Sequence, residues 1–529
     1  HYFAELPIAP EMLSGPEVLT GTDNALYGFN STVATLSYGL TRISEGGQAT
    51  AGFGDHDLNF QRIHQSLTGT LGERSDWTWG AEVEVSRSES DGTIRLGDHD
   101  FDRTTGRFQV LGPNSQTDFF AGYQSKFFGW PGMYTAERFA NPTTGKRAPE
   151  TENLKTRLFM INHRQEYGVR NFVELTATHR RHTDDYFLDA TNYTPFPFEF
   201  VANHETKVTS LGFSGFNELS PQSGINYAGQ IASDKIDSSS LEQGDFTSRT
   251  YVKLSLLPEY EIKISENETV TVSLGGSFND TNRDDSEFSF ISDIRWEQAN
   301  RNGHTRSLYL SYSETSQVAG YTAIGGSESG GIFRSQHDLE RETSQNLEFG
   351  MTVGHTGWSV ETAVFYRWDD DLVDWTFANG SPFARSANNV DIETFGFEFI
   401  GTRSWDEFET IVSYTYLDKN EDYGTASVDA SFYALNYANH RITLGAIWRP
   451  HPIVEIRLDN EWRQNEENDL RDGSDSALLT HLGISFYPPQ IDDLELFFAV
   501  DNAWDDDFQE VPGTPGRGDQ FSAGATYRW

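Results

Sequence analysis

The last nine residues, FSAGATYRW, constrain the chain more than any other stretch. Phe521, Ala523, Ala525, Tyr527 and Trp529 share one face of an extended strand, and Ser522, Gly524, Thr526 and Arg528 share the other. Successive side chains of a strand point to opposite sides, so this pattern sets an apolar face against a polar one. It ends the chain on an aromatic residue. The same alternation recurs upstream. In DWTWGAEVEVS, Trp77, Trp79, Ala81, Val83 and Val85 oppose Thr78, Gly80, Glu82, Glu84 and Ser86. Similar faces are formed by Phe395, Phe397 and Phe399, by Ile442, Leu444, Ala446 and Trp448, and by Leu494, Leu496, Phe498 and Val500.

Aromatics are 14% of the 529 residues and hydrophobics only 36%, which supplies much interface-seeking ring surface and too little aliphatic bulk for several dry cores. The apolar run LELFFAV, Leu494 to Val500, is far shorter than the roughly 20 residues a spanning helix needs. Any membrane crossing is therefore by strands, the other structure that satisfies its backbone in lipid. The 80 acidic and 39 basic residues give a formal charge of −41, which argues against nucleic acid as a partner, because binding it requires clustered cations. The absence of cysteine removes disulfides, zinc-thiolate sites and thiol catalysis. The chain starts at His1 with neither an initiator Met nor a signal segment, so it is expected to be a processed or trimmed product.

Reading for period-two segments bounded by turn residues gives about twenty-two strands after residue ~47. The connectors alternate in length. GERSD, LGPNSQ, YGVRN, LSPQSG, ANRNG, GHTG, RSWD, RPHP and PPQ are tight turns, whereas FFGWPGMYTAERFANPTTGKRAPET, HTDDYFLDATNYTPFPFEFVANHE and RWDDDLVDWTFANGSPFARSANN are long. Short periplasmic turns alternating with long extracellular loops mark an outer-membrane barrel, and a soluble sandwich or propeller gives no reason for the alternation. The expected fold is therefore all-β, a transmembrane antiparallel β-barrel of about 22 strands in the cell outer membrane. Residues 47–529 form the barrel. Residues 1–46 lack the alternation and belong outside the wall or inside the lumen, which at this strand number is wide enough to need a plug.

Within that first stretch, Glu17, Val18, Leu19 and Gly21, then Ala25, Leu26, Tyr27 and Gly28, resemble in order and spacing the end of the plug domain of TonB-dependent outer-membrane receptors. Gly330 to Gly350, Tyr366 to Trp375, Asn389 to Phe399 and Val500 to Trp529 look like the family's late loop and closing strands. The resemblance thus covers nearly the whole chain. It departs from the family in two respects. Thr20 stands where the family usually has Arg, and only the last ~45 residues of a plug normally well over a hundred residues long are here, as a short residual segment at the N-terminus. What the resemblance implies is active uptake of a scarce, bulky solute, with a metal-siderophore or a corrinoid (cobalamin) foremost, driven by the TonB energy complex. The missing plug lies upstream, or on a separate plug-bearing chain, or is absent, in which case the barrel is a passive pore or a structural scaffold in an envelope complex. Outer-membrane lipid, lipopolysaccharide and the barrel-assembly machinery are the other expected partners.

The loop residues Trp130, Met133, Tyr134, Tyr186, Tyr193, Tyr321 and Phe333 are candidates for the solute platform, because rings give large contact area at low entropic cost. The alternative for each is a place in the aromatic girdle at the membrane interface. Trp368, Trp375 and Phe377 read as interface or loop core. Closely spaced carboxylates at Asp184, Asp185 and Asp189 have the oxygen chemistry for calcium, and corrinoid receptors of the family are known for calcium-ordered loops; the alternative is a solvated acidic surface. Tyr527 and Trp529 are the candidate assembly signal. His179 and His182 fall on opposite faces of a strand, and no metal-spaced histidine set, nucleophile elbow or phosphate loop is present, so neither a covalent cofactor nor an enzymatic activity is expected.

Overall fold

The computed structural model describes residues 6–72, 74–141, 143–193, 197–242, 247–299, 303–327, 331–335 and 339–529. Parts of the predicted connectors GERSD and ANRNG, and short pieces of the long loops, lie outside these residues. Twenty-two long antiparallel strands, from Gly46–Gly54 to Gln520–Arg528, close into one barrel. Two further strands of two residues each, Phe333–Arg334 and Ala430–Ser431, pair onto wall strands on the side of the long loops. No helix among the described residues is long and apolar enough to cross a membrane.

The wall is inside out relative to a soluble protein. On the strand Arg74–Ser90, Val83 and Val85 are about half exposed while the alternating Glu82 and Glu84 are buried. The same inversion repeats on neighbouring strands, with Phe108, Phe119, Phe159 and Ile161 outward and Arg107, Gln109, Asp118 and Thr156 inward. An exterior of this kind is stable only against hydrocarbon, and the acids tolerate burial because cations face them across the ladder. Arg107 donates to Glu82, and Arg103 reaches Glu84 at 2.9 Å.

Closure rests on the chain ends of the wall. Gln520–Arg528 pairs with Gly46–Gly54 in an unbroken register from Ser522 opposite Gly54 to Arg528 opposite Gln48. Trp529 extends the seam by exchanging both backbone bonds with Gly47, at 2.9 and 3.0 Å. Its indole donates to Gln65 Oε1 at 2.9 Å, lies against Gly47 and stacks on Tyr527. A Cβ on Gly47 would come within 2.6 Å of that ring, which is why glycine stands there.

Residues 6–40 lie in the lumen as a hairpin of Leu13–Leu19 and Thr35–Leu40 around a short helix, Gly21–Tyr27. Ala9 and Met12 pack on the inward-facing Phe120 and Leu158, and Ala25 and Leu26 pack on Leu257 and Ile291. Polar anchors join these apolar ones. Glu11 accepts from Arg62 at 2.7 Å and from Gln48 at 2.6 Å, and the Thr41 carbonyl accepts from Arg107 at 2.7 Å. The Ala-Leu-Tyr-Gly run thereby acquires a physical reason. Ala25 and Leu26 are the apolar contact with the wall, and at Gly28 a Cβ would fall 2.2 Å from Asn24 Oδ1. Glu17, Val18 and Leu19 belong to the first hairpin strand, where Val18 is 60% exposed to the lumen, and Gly21 opens the helix at φ +50°.

Trp529→Ala keeps the terminal backbone bonds but loses the indole bond and ring contacts at the seam, at a cost of about 1–2 kcal/mol. The temperature at which the folded barrel loses its compact electrophoretic mobility is expected to fall; an unchanged transition would remove Trp529 from the closure.

Candidate functional site

Above the lipid-facing belt, the long connectors fold inward onto one another. On the strand Glu150–Glu166 the outward face changes from Phe159 and Ile161 to Arg157 and Lys155, so the Glu150 end projects beyond the apolar belt. There a cavity of about 350 Å³ opens among strand ends and loops that are distant in sequence. Its wall is largely aromatic, formed by Tyr134, Tyr186, Phe200, Phe333, Trp375 and Tyr433. Tyr134 meets Tyr186 edge-on at 5.4 Å between ring centroids and Phe333 at 5.5 Å, and Phe333 meets Trp375 at 5.5 Å. Glu152, Asp184, His204 and Arg385 place charge and hydrogen-bonding capacity in the same wall.

Arg385 is the keystone of this assembly. It is 2% exposed, and its guanidinium donates to the carbonyls of Tyr134, at 3.0 Å, and Met133 and to the Tyr433 hydroxyl at 2.8 Å. It also lies 3.9 Å from the centroid of the Phe432 ring. Three loops distant in sequence are thus held by one planar cation, a geometry that the fork of arginine suits and lysine does not. Glu150 holds the first of these loops from the other side, accepting from the Tyr134 backbone N–H at 3.0 Å and from the Thr135 hydroxyl. The Tyr134 hydroxyl donates to Glu152 at 2.7 Å. Burial pushes the Glu150 carboxyl up to about 8, against the opposing pull of the Thr135 bond and of Arg385. The position of the site follows from the strand register, because Glu152, Tyr186 and Ala202 are successive cross-strand partners and face the lumen together.

Of the seven predicted platform residues, Tyr134, Tyr186 and Phe333 line the cavity. Met133 is buried beside it and contributes its carbonyl. Trp130 instead ties its loop to the last one, donating to the Pro515 carbonyl at 3.0 Å with Arg517 over its ring. Tyr193 packs at the edge of the hydrophobic cluster formed by Tyr186, Leu188, Ala190 and Ala202 and accepts from Arg95 at 3.1 Å. Tyr321 belongs to the neighbouring cluster, donating to Asp234 at 2.6 Å beneath Arg249; burial and that bond raise its phenol well above the ordinary range. Trp375, read from the sequence as interface or loop core, lines the cavity.

The three carboxylates considered for calcium are not brought together. Asp184 lines the cavity, Asp185 is on the opposite, outward face of the same strand, and Asp189 accepts from the hydroxyl and backbone N–H of Thr191. Among the described residues no group of three or more histidine, aspartate or glutamate side chains is placed to hold a metal ion. His179 and His182 do fall on opposite faces, one exposed and the other buried.

A family model described as TonB dependent receptor-like, beta-barrel, matches residues 17–503. The chain belongs to this family. Its fold is similar to that of the FrpB iron transporter from Neisseria meningitidis, with a TM-score of 0.74 at 12% identity over 98% of this chain and 88% of that one. It is also similar to the ferripyoverdine receptor of Pseudomonas aeruginosa, with 0.73 at 12% identity over 97% and 76%, and to the ferric-catecholate import receptor Fiu of E. coli K12, with 0.71 at 10% identity over 97% and 85%. No curated protein matches the sequence. As a member of this family the chain is an outer-membrane receptor barrel, and the family is one of receptors and transporters rather than enzymes.

Two outcomes are expected from this geometry. Arg385→Ala removes three hydrogen bonds of a buried cation, each worth about 1.5–3 kcal/mol, and should deprotect the amides of residues 130–141 in hydrogen exchange while leaving the barrel strands protected. In the fold Glu150 has a pKa raised from the ordinary 4.5 to about 8, so its contribution to the folded loop is full below pH 4.5 and is lost as the pH rises through 8. Loop protection, corrected for intrinsic exchange, should decline over that window, and Glu150→Gln should abolish the decline.

Proposed function

We propose that this receptor captures a ferric chelate of the siderophore type in the aromatic cavity on its extracellular side and passes it into the lumen for uptake driven by the TonB complex. The observation that carries the reading is the cavity itself. Six aromatic rings, those of Tyr134, Tyr186, Phe200, Phe333, Trp375 and Tyr433, converge at the mouth of a barrel of this family around a ligand-sized hollow. The solved structures that share the fold include an iron transporter, a ferripyoverdine receptor and a ferric-catecholate receptor, which favours an iron chelate over a corrinoid.

Binding at such a site draws on the flat faces of the rings for contact area and on Arg385 for rigidity. The wall is preorganised by the bonds of that guanidinium, so little loop ordering is left to oppose capture. Movement of the ligand inward then requires displacement of the hairpin and helix that lean on Phe120, Leu158, Leu257 and Ile291. The anchors there are a mixture of small apolar contacts and partly buried ion pairs such as Arg62 with Glu11. A pull on the luminal segment, through residues upstream or through a plug-bearing partner, acts directly on these contacts.

The test is a fluorescence titration of the purified barrel with a ferric trihydroxamate, a ferric catecholate and cyanocobalamin, the part of the quenching that Trp375→Phe removes being the signal of the cavity. Saturable quenching by one of the ferric chelates is expected, weakened at least tenfold in Tyr134→Ala and in Phe333→Ala. Saturation by cyanocobalamin alone would move the reading to corrinoids. No saturable ligand together with large, non-selective conductance in planar bilayers would replace it with a passive pore.

A further inference from the structure

The aromatic cavity carries a charge pattern that its shape alone does not explain. The strand register builds its floor from two rows of the wall. Glu152, Tyr186 and Ala202 are partners across three consecutive strands, and one row deeper in the lumen Asp184 is the partner of His204. Glu152 and Asp184 therefore stand as diagonal neighbours on the inward face, each next to Tyr186 in the ladder, and both line the hollow. The Tyr134 hydroxyl, donating at 2.7 Å, fixes the Glu152 carboxylate at the edge of the aromatic wall.

The lining is negative on balance. Among the described residues it contains two carboxylates against one guanidinium. That guanidinium is turned to the structure that holds the loops. Each nitrogen of Arg385 donates to the wall itself, to the carbonyls of Tyr134 and Met133 and to the Tyr433 hydroxyl, and its plane lies 3.9 Å from the centroid of Phe432, a ring outside the lining. Burial holds the His204 imidazole below its ordinary value against the pull of Asp185, so it adds no positive charge at neutral pH.

The rings add to this polarity. Successive planes turn by 71° from Tyr186 to Tyr134, by 85° from Tyr134 to Phe333 and by 59° from Phe333 to Trp375. Walls inclined in this way enclose a compact group on several sides, whereas a flat guest calls for parallel faces. The face of an aromatic ring is the negative side of its quadrupole and attracts a cation, most strongly at tryptophan. A hollow of about 350 Å³ is also at the lower end of ligand pockets, which run from roughly 300 to 1,000 Å³. It accommodates one arm of a chelate and leaves the metal centre with its full ligand set outside.

Resting on the reading of this hollow as a ferric-chelate site, we propose that it selects chelates by a primary ammonium group carried at the end of a flexible arm. The ammonium enters the box of rings and donates to Glu152 and Asp184, and the methylenes of the arm lie against Phe200, Phe333 and Trp375. An ammonium has three donors to share between the two carboxylates, and its charge strengthens each bond. The same groups discriminate against other chelates. An anionic tris-catecholate complex would set negative charge against Glu152 and Asp184, with the one guanidinium of the lining already engaged by loop carbonyls. A neutral arm would take water from both carboxylates without supplying a charged donor in its place. Glu152 and Asp184 are thus specificity-determining residues, and Arg385 is a positioning residue that shapes the box.

The test titrates the wild-type barrel, by the quenching signal of the cavity, with a linear ferric trihydroxamate that ends in a primary ammonium and with the same chelate acetylated at that nitrogen. The two ligands share the metal centre and differ in the charge of the arm. Acetylation is expected to raise the half-saturating concentration at least tenfold. In E152Q/D184N, with folding verified by heat-modifiable mobility, the two forms should differ by less than twofold, and in each single variant the preference should shrink at least threefold. Equal binding of the two forms by the wild type would overturn the ammonium assignment and leave the chelate reading standing. A tenfold preference that persists in the variants would overturn it as well, by showing that the bulk of the acetyl group and not the lost charge is being read. Saturation by neither form would instead remove the chelate reading, and this inference with it.

Discussion

In hydrocarbon, every backbone N–H and C=O must find a partner within the protein, and a sheet meets that demand only by having no edge. The rest of this structure depends on that constraint. The carboxy-terminal strand, Gln520–Arg528, pairs with Gly46–Gly54 through a continuous register, and Trp529 prolongs the seam against Gly47. Once the sheet is closed, the alternation along each strand has a fixed meaning, apolar towards lipid and polar towards the lumen. Every acid on the inward parity must then be matched by a cation or a hydrogen-bond donor. Glu82 and Glu84 with Arg103 and Arg107 show the solution, a ladder of opposite charges running across neighbouring strands.

Closure also creates the space that function uses. A wall of twenty-two strands encloses more volume than its own side chains fill. At one level that volume holds the hairpin and helix of residues 6–40, which touch the wall through a few apolar contacts and ion pairs instead of a continuous core. At the loop end it is narrowed by connectors that fold inward and meet around Arg385. The two regions differ in what holds them. The luminal segment is held by separable contacts suited to displacement, whereas the cavity wall is held by a buried guanidinium shared among three loops, suited to keeping a shape.

The fold was legible because its signal is local. Period-two alternation at Trp77 to Ser86 or at Phe521 to Trp529 follows from one strand's geometry and needs no knowledge of its neighbours. The connector lengths supplied the orientation in the same way. The site was legible only in part. Tyr134, Tyr186 and Phe333 could be proposed because aromatic residues in long loops have either an interface or a ligand to serve. Trp375, with the same signal, read as interface or loop core, and Arg385 carried no signal at all, since its importance is in the carbonyls of Met133 and Tyr134, some 250 positions away. Asp184 and Asp185 show the opposite error of proximity. They are adjacent in sequence and, on a strand, therefore face opposite sides of the wall.

The sequence by itself determined the strand period, the number of crossings, the medium on each side of the wall and the family to which the chain belongs. These follow from hydrophobic patterning and turn chemistry, both of which act over a few residues. Only the tertiary structure decided which loop residues meet in the aromatic cavity and which side chains pin the luminal segment. Cross-strand register sets those neighbours, and register is a property of the closed sheet, with partners brought together by the shear of the whole barrel and not by their separation along the chain.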